Sequence, residues 1–188
     1  MEYDTGRELL FHHFFLENDR SSVRIKGSMD LEEETIDTRF QIGIEDLSLI
    51  QGVLAGEPRG SLDLKGVVSG SLQNPRSELS LLISNPGFEE FCAEKMEWKI
   101  QVRVSGEDPF VFHGLDMEGK GEVTGIRSGR ADLHIPFGSL DALFQVNMEK
   151  GKPALIQSIR IRAKDAFLLW SGAFEPESQV IDGKVSAE

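Results

Sequence analysis

The sequence predicts an all-β fold, an elongated antiparallel meander, and three observations lead to it. Apolar and polar residues alternate with a period of two through most of the 188 residues, as they do in half-buried strands. Turn signals such as Asn74-Pro75 and Gly106-Glu107-Asp108-Pro109 separate the alternating runs. No strand–helix–strand spacing occurs, which favours an antiparallel sheet in one domain spanning residues 1–188.

The first third of the chain contains four predicted elements. Residues 1–8 are polar and expected to fray, whereas the aromatic-rich residues 9–16 favour a strand over a short helix. Clean alternation predicts strands over residues 23–31 and 36–44. Asp46 is a good N-cap, and the apolar spacing over residues 47–54 predicts a helical turn or two across the sheet or at its end.

The most regular alternation covers residues 60–83. Its apolar positions are Leu62, Leu64, Val68 and Leu72 before the Asn74-Pro75 turn, and Leu79, Leu81 and Ile83 after it. A second Asn-Pro pair at residues 85–86 is expected to end the returning strand, because proline donates no ladder hydrogen bond. Gly66 and Gly70 share the apolar register and indicate places where the sheet bends or leaves room for a ligand.

The second half of the chain continues the meander less regularly. Alternation predicts strands over residues 96–104, 110–117 with a bulge at His113-Gly114, 133–137, 144–148 and 159–163. Residues 140–144 are expected to form a short crossing. Residues 166–174 end the regular pattern, and residues 180–185 predict a weak last strand.

Composition limits the functions that fit. Thirty-two acidic and twenty basic residues give a net charge of −12, which disfavours nucleic-acid phosphates and anionic lipid head groups as partners. No run of about eighteen apolar residues occurs that could span a membrane. The single cysteine, Cys92, cannot form an internal disulfide.

No catalytic or metal-binding constellation is recognisable, so the sequence predicts neither an enzyme nor a cofactor. The four histidines lack the spacing of a zinc site. Gly119-Lys120-Gly121 fits a place of close backbone approach better than a phosphate loop. One enzymatic hypothesis, a β-sheet hydrolase, would need converging carboxylates that the sequence does not reveal.

The apolar face of the strands is the feature still to be explained, and it has two interpretations. It is either the core of a closed β-sandwich or barrel that serves as a scaffold or interaction domain, or the lining of an open, curled trough. A trough would shield acyl chains, since a sixteen-carbon chain needs on the order of 13 kcal/mol of apolar contact to leave a membrane without loss. The predicted lining residues are Val23, Ile25, Phe40, Ile42, Leu62, Leu64, Val68, Leu79, Leu81, Trp98, Ile100 and Val102.

One stretch resembles a known family. Residues 60–75, Gly-Ser-Leu-Asp-Leu-Lys-Gly-Val-Val-Ser-Gly-Ser-Leu-Gln-Asn-Pro, followed by Leu-Ser-Leu-Leu-Ile and Met96-Glu97-Trp98, are similar to the repeat of AsmA-like proteins, in particular of the TamB type. The lead-in at residues 44–50 is similar as well. The resemblance covers about residues 20–105, with Ser71 where the family often has threonine.

The resemblance implies a U-shaped β-trough, often called a β-taco, that conducts phospholipids across the periplasm from the inner to the outer membrane. Such proteins are anchored in the inner membrane, and TamB-type members work with an outer-membrane barrel of the Omp85 type. This chain would then be a periplasmic segment of a larger anchored protein. Unpaired end strands would also predict edge-to-edge self-association.

Overall fold

The protein is one antiparallel sheet of fourteen strands, seen in a computed structural model that describes residues 2–4, 8–50, 57–88, 91–106, 113–128, 138–150, 152, 154–164, 166–175 and 180–187. The strands of the first half are β1 (Glu2–Asp4), β2 (Glu8–Asn18), β3 (Ser21–Asp30), β4 (Thr35–Ile44), β5 (Arg59–Ser71), β6 (Pro75–Phe88) and β7 (Phe91–Cys92). Those of the second half are β8 (Lys95–Ser105), β9 (Gly114–Thr124), β10 (Arg127–Ser128), β11 (Ser139–Glu149), β12 (Ala154–Ala163), β13 (Ala166–Glu175) and β14 (Val180–Ala187).

Strands follow one another in the sheet almost in chain order. The path runs β1-β2-β3-β4-β5-β6-β8-β9-β11-β12-β13-β14, and the short β7 and β10 pair with each other beside the end of β6. The sheet is not closed into a barrel, which is consistent with the predicted curled trough. The prediction of an all-β antiparallel meander is therefore confirmed, and the closed alternative is wrong.

Within the described residues, no second layer covers the sheet. The chain exposes 13075 Å² of surface, whereas a compact monomer of its mass would expose about 9000 Å². Only Leu47, Ala154 and Ala163 are buried apolar residues among those described, and no large side chain is fully buried. Apolar side chains of the sheet therefore cover one another within their own layer.

The predicted helix is present as a single short turn. A 3-10 helix spans Leu47–Ile50, and Leu47 is buried against the end of the sheet. Asp46 accepts a hydrogen bond from the Ser48 backbone N–H at 3.0 Å. Hydrogen bonds from the side chain and the backbone of Ser48 lower the pKa of Asp46 below its ordinary value. Residues 51–54 of the predicted helix lie outside the described residues.

Three other predictions about elements are wrong. Residues 2–4 do not fray but pair with β2. The strand β6 continues past Asn85-Pro86 to Phe88, because Asn85 and Pro86 together lie opposite Gly60 of β5 in a bulge of β6, where Asn85 has a positive φ of 51°. Residues 140–144 do not cross the sheet, since they belong to β11 and pair with β9 and β12. The expected strands at residues 110–112 and 133–137 lie outside the described residues.

Within the described residues, no helix is long and apolar enough to cross a membrane.

We predict that the protein self-associates through its edge strands. In the described part of the chain, β1 and β14 each have a sheet neighbour on one side only, and exposed strand edges pair readily with other strands. Val185 on β14 is 65% exposed, so Val185→Lys places a charge on that edge. Light scattering over a concentration series should show growing mass for the wild type and less growth for the variant. Leu49→Lys, which changes a residue 50% exposed away from the edge, is the control. A wild-type monomer at every concentration would contradict the prediction.

Candidate functional site: the apolar face

The register of the strands gathers the apolar residues on one face of the sheet. Residues paired across antiparallel strands point to the same face, so a row can be followed from strand to strand. The central row crosses ten strands, β2 to β13, and holds only apolar residues and glycines: Phe14, Ile25, Phe40, Gly66, Leu79, Ile100, Gly119, Phe144, Ile159 and Trp170. We call the side to which this row points the apolar face.

All twelve residues predicted from the sequence lie on this apolar face. Ile25, Phe40, Leu79 and Ile100 belong to the central row. The next row holds Val23, Ile42, Leu64, Leu81 and Trp98, and Leu62, Val68 and Val102 lie in the rows beyond. Each of the twelve is half-buried, since neighbours in the same layer cover its flanks and no second layer of described residues lies above it. Their role as a lipid lining stays a prediction.

The apolar face extends beyond the residues that the sequence singled out. Met117, Phe144 and Val146 continue it on β9 and β11, and Ile159 and Trp170 continue it on β12 and β13. Their alternation is visible in the sequence. Only the observed pairing shows that these later strands share a face with the earlier ones.

Aromatic rings from neighbouring strands cover the glycines of the apolar face. A Cβ at Gly119 would overlap the Phe144 ring, and one at Gly121 would overlap the Trp98 ring. Trp98 and Phe144 meet above β9 with ring centroids 5.6 Å apart and planes tilted by 47°. Gly66 does not leave room for a ligand on this face, because the Phe40 ring and the Leu79 side chain occupy that space. The alternative, a bend of the sheet at Gly66 and Gly70, stays a prediction.

The opposite face is charged, and it carries a long groove of about 1330 Å³. The groove follows the central row, and both sequence neighbours of each row residue from Ile25 to Phe144 line it. Residues two positions away, such as Leu64 and Trp98, do not line it. Because neighbours in a strand point to opposite faces, the walls are side chains of the charged face and the floor is backbone.

No group of three or more histidine, cysteine, aspartate or glutamate residues that could hold a metal ion occurs in the described part of the chain. Comparison with known proteins found no match to this chain among family models, curated proteins or solved structures.

We predict that Gly121→Ala destabilises the protein because the new methyl group displaces the Trp98 ring. Overpacking of this kind costs about 1–3 kcal/mol in the free energy of unfolding, which urea denaturation measures. Gly138→Ala is the control, since a Cβ there meets nothing within 4 Å. In a Trp98→Ala background the Gly121→Ala cost should shrink. An unchanged cost in that background would show that the ring is not the cause.

Proposed function

We propose that the apolar face contacts phospholipid acyl chains and that the chain is a segment of a lipid-transport conduit between two membranes. The observation that carries this proposal is a continuous apolar face across ten strands, above which the described part of the chain places no second layer. Large exposed apolar surfaces on proteins mark sites of contact with other apolar molecules. Lipid head groups would remain in water at the open side of the trough.

The dimensions of the face suit acyl chains. Ten strands at the usual interstrand distance extend the central row to about 43 Å. One acyl chain spans about half of a bilayer core, or about 15 Å, so the row has room for more than one chain end to end. Two strands contribute glycines to the central row, Gly66 and Gly119, and the Phe40 and Phe144 rings cover them. The central row therefore presents no polar side chain that would hold a sliding chain in one place.

The AsmA-like resemblance of residues 60–83 supports the wider setting of this proposal. In that setting the chain is a periplasmic segment of an inner-membrane-anchored protein, and its lipid moves toward the outer membrane. Contact with an outer-membrane barrel of the Omp85 type would involve other parts of such a protein. The apolar lining needs no catalytic residue, so the proposed role is conduction without chemistry.

We predict that photo-crosslinkers on the apolar face capture phospholipid. Benzoyl-phenylalanine replaces Leu64 or Trp98, and the matched controls replace their neighbours Asp63 or Glu97, which point to the charged face outside the groove. Vesicles of phosphatidylethanolamine and phosphatidylglycerol supply the lipid, and mass spectrometry identifies adducts. Adducts at Leu64 and Trp98 alone support the proposal. Equal capture at Asp63 and Glu97, or none anywhere, contradicts it.

We predict that Leu81→Asp blocks lipid transfer. The substitution places a carboxylate between Leu64 and Trp98 on the apolar face, where it has to be desolvated when an acyl chain passes. Transfer of a fluorescent phospholipid between vesicles should slow by about tenfold or more. Ser80→Asp adds the same charge one residue away on the charged face and should leave the rate within about twofold. Similar rates for both variants would contradict an acyl path over this face.

A further inference from the structure

The groove on the charged face has a net charge opposite to that of the protein. One wall carries the cations Arg24, Lys65, Lys99, Lys120 and Arg160. The other wall carries Lys26 and Arg39 together with Glu78 and Glu118. Seven cations and two carboxylates give five net positive charges, in a chain whose net charge is −12.

Several of these cations face one another across neighbouring strands. Lys99 pairs in register with Lys120, and Lys26 pairs with Arg39. None of the four has an ion-pair partner in the described part of the chain. Like charges directly opposite one another destabilise a sheet, and an anion lying between them would relieve that repulsion.

Both ends of the groove hold an arginine against an aromatic ring. The guanidinium of Arg24 lies 5.2 Å from the centre of the Phe15 ring, and that of Arg160 lies 5.6 Å from the centre of the Phe167 ring. Such cation–π contacts fix the direction of the guanidinium while its N–H groups stay free to donate. The cationic wall is thus partly ordered before any ligand arrives.

An acidic row borders the cationic wall on the side away from the groove. The row holds Asp63 on β5, Glu97 on β8, Glu122 on β9 and Asp141 on β11, with Leu82 of β6 between the first two. Three of these carboxylates are ion-paired, Asp63 with Lys65, Glu97 with Lys95 and Asp141 with Arg162. Within the described residues, this row therefore holds no unpaired cation to which an anion leaving the groove could move. A linear anion is therefore confined to one track across the nine strands β2 to β12, about 38 Å long. The groove volume spread over that length gives a cross-section of about 35 Å², which fits a single polymer chain.

We propose that this groove binds an extended anionic polysaccharide with about one carboxylate for every two sugars. The interstrand distance is about 4.8 Å, and an extended pyranose unit advances by nearly that length, so successive sugars meet equivalent positions on successive strands. Two sugars then span two strands, and about four carboxylates fit along the groove, close to its net charge of five. Gln101, Gln145 and Ser158 stand among the charges and bind sugar hydroxyls.

Other linear anions match the groove less well. One nucleic-acid strand carries a charge about every 3.4 Å, which brings more than twice the charge that the groove balances, and a stacking ring would be needed for each base. An extended acidic peptide advances about 3.4 Å per residue, out of step with the strands. Its backbone would also find no partners, because the groove floor is already hydrogen-bonded within the sheet.

The test uses a hyaluronan octasaccharide, which has one carboxylate per disaccharide, and calorimetry at 20 mM and 300 mM NaCl. Binding should weaken by about tenfold or more at the higher salt, since screening shortens the reach of the cations. The triple variant Lys65→Glu/Lys99→Glu/Lys120→Glu should bind about thirtyfold more weakly or not at all. The triple variant Lys152→Glu/Lys164→Glu/Lys184→Glu has the same net charge outside the groove and should stay within about threefold. Circular dichroism checks that both variants keep their strands.

Three outcomes would overturn the proposal. An equal loss in both triple variants would show that net charge alone governs binding. An oligoglutamate peptide or a polyphosphate that binds as tightly as the octasaccharide would reveal a generic anion surface. Absence of octasaccharide binding at 20 mM NaCl would exclude the ligand class. The proposal does not rest on lipid conduction, because the groove and the apolar face lie on opposite sides of the sheet.

Discussion

Cross-strand register is the constraint on which the rest of this structure depends. The side-chain period of a strand is two, so a slip of one residue between neighbours would exchange the two faces of everything that follows. In this sheet a slip between β5 and β6 would bring Lys65 into line with Leu79 and place charges among leucines. The apolar face and the charged groove exist together only because each strand keeps the phase of the one before it.

β-Bulges keep apolar residues on one face at places where a regular two-residue alternation would turn them to the other. Ile156 and Ile159 are three residues apart, which would place them on opposite faces of a regular strand. The extra residue at Gln157 is absorbed in a bulge, so that Ile156 pairs with Gly172 and Ile159 pairs with Trp170. Both isoleucines therefore remain on the apolar face, and the central row continues to the later strands.

The sequence predicts the strands of this fold better than it predicts their contacts. Alternation at Leu62, Leu64 and Val68 identifies a face because it depends on one strand alone. The contact of Trp98 with Gly121 depends on pairing between β8 and β9, which no local pattern specifies. The same holds for the cationic wall, since Lys65, Lys99 and Lys120 are distant in sequence and align only through three strand pairings. Continuation of β6 through Pro86 also escapes a local rule, because the bulge at Asn85-Pro86 is seen only in the pairing of β6 with β5.

A single-layer sheet has an unusual energetic position, since its strands are hydrogen-bonded to their neighbours while its apolar side chains are only half removed from water. Full burial of one methylene group stabilises a fold by about 0.8 kcal/mol, and a methylene group that remains partly exposed contributes only part of that free energy. A ligand that covers the apolar face supplies the missing burial, and it stabilises the sheet by the free energy with which it binds the folded form alone. An anion in the groove would act in the same direction from the other side by relieving the repulsion between Lys99 and Lys120. The two faces share one backbone and depend on the same strand register. A ligand bound to either face therefore stabilises that register for both.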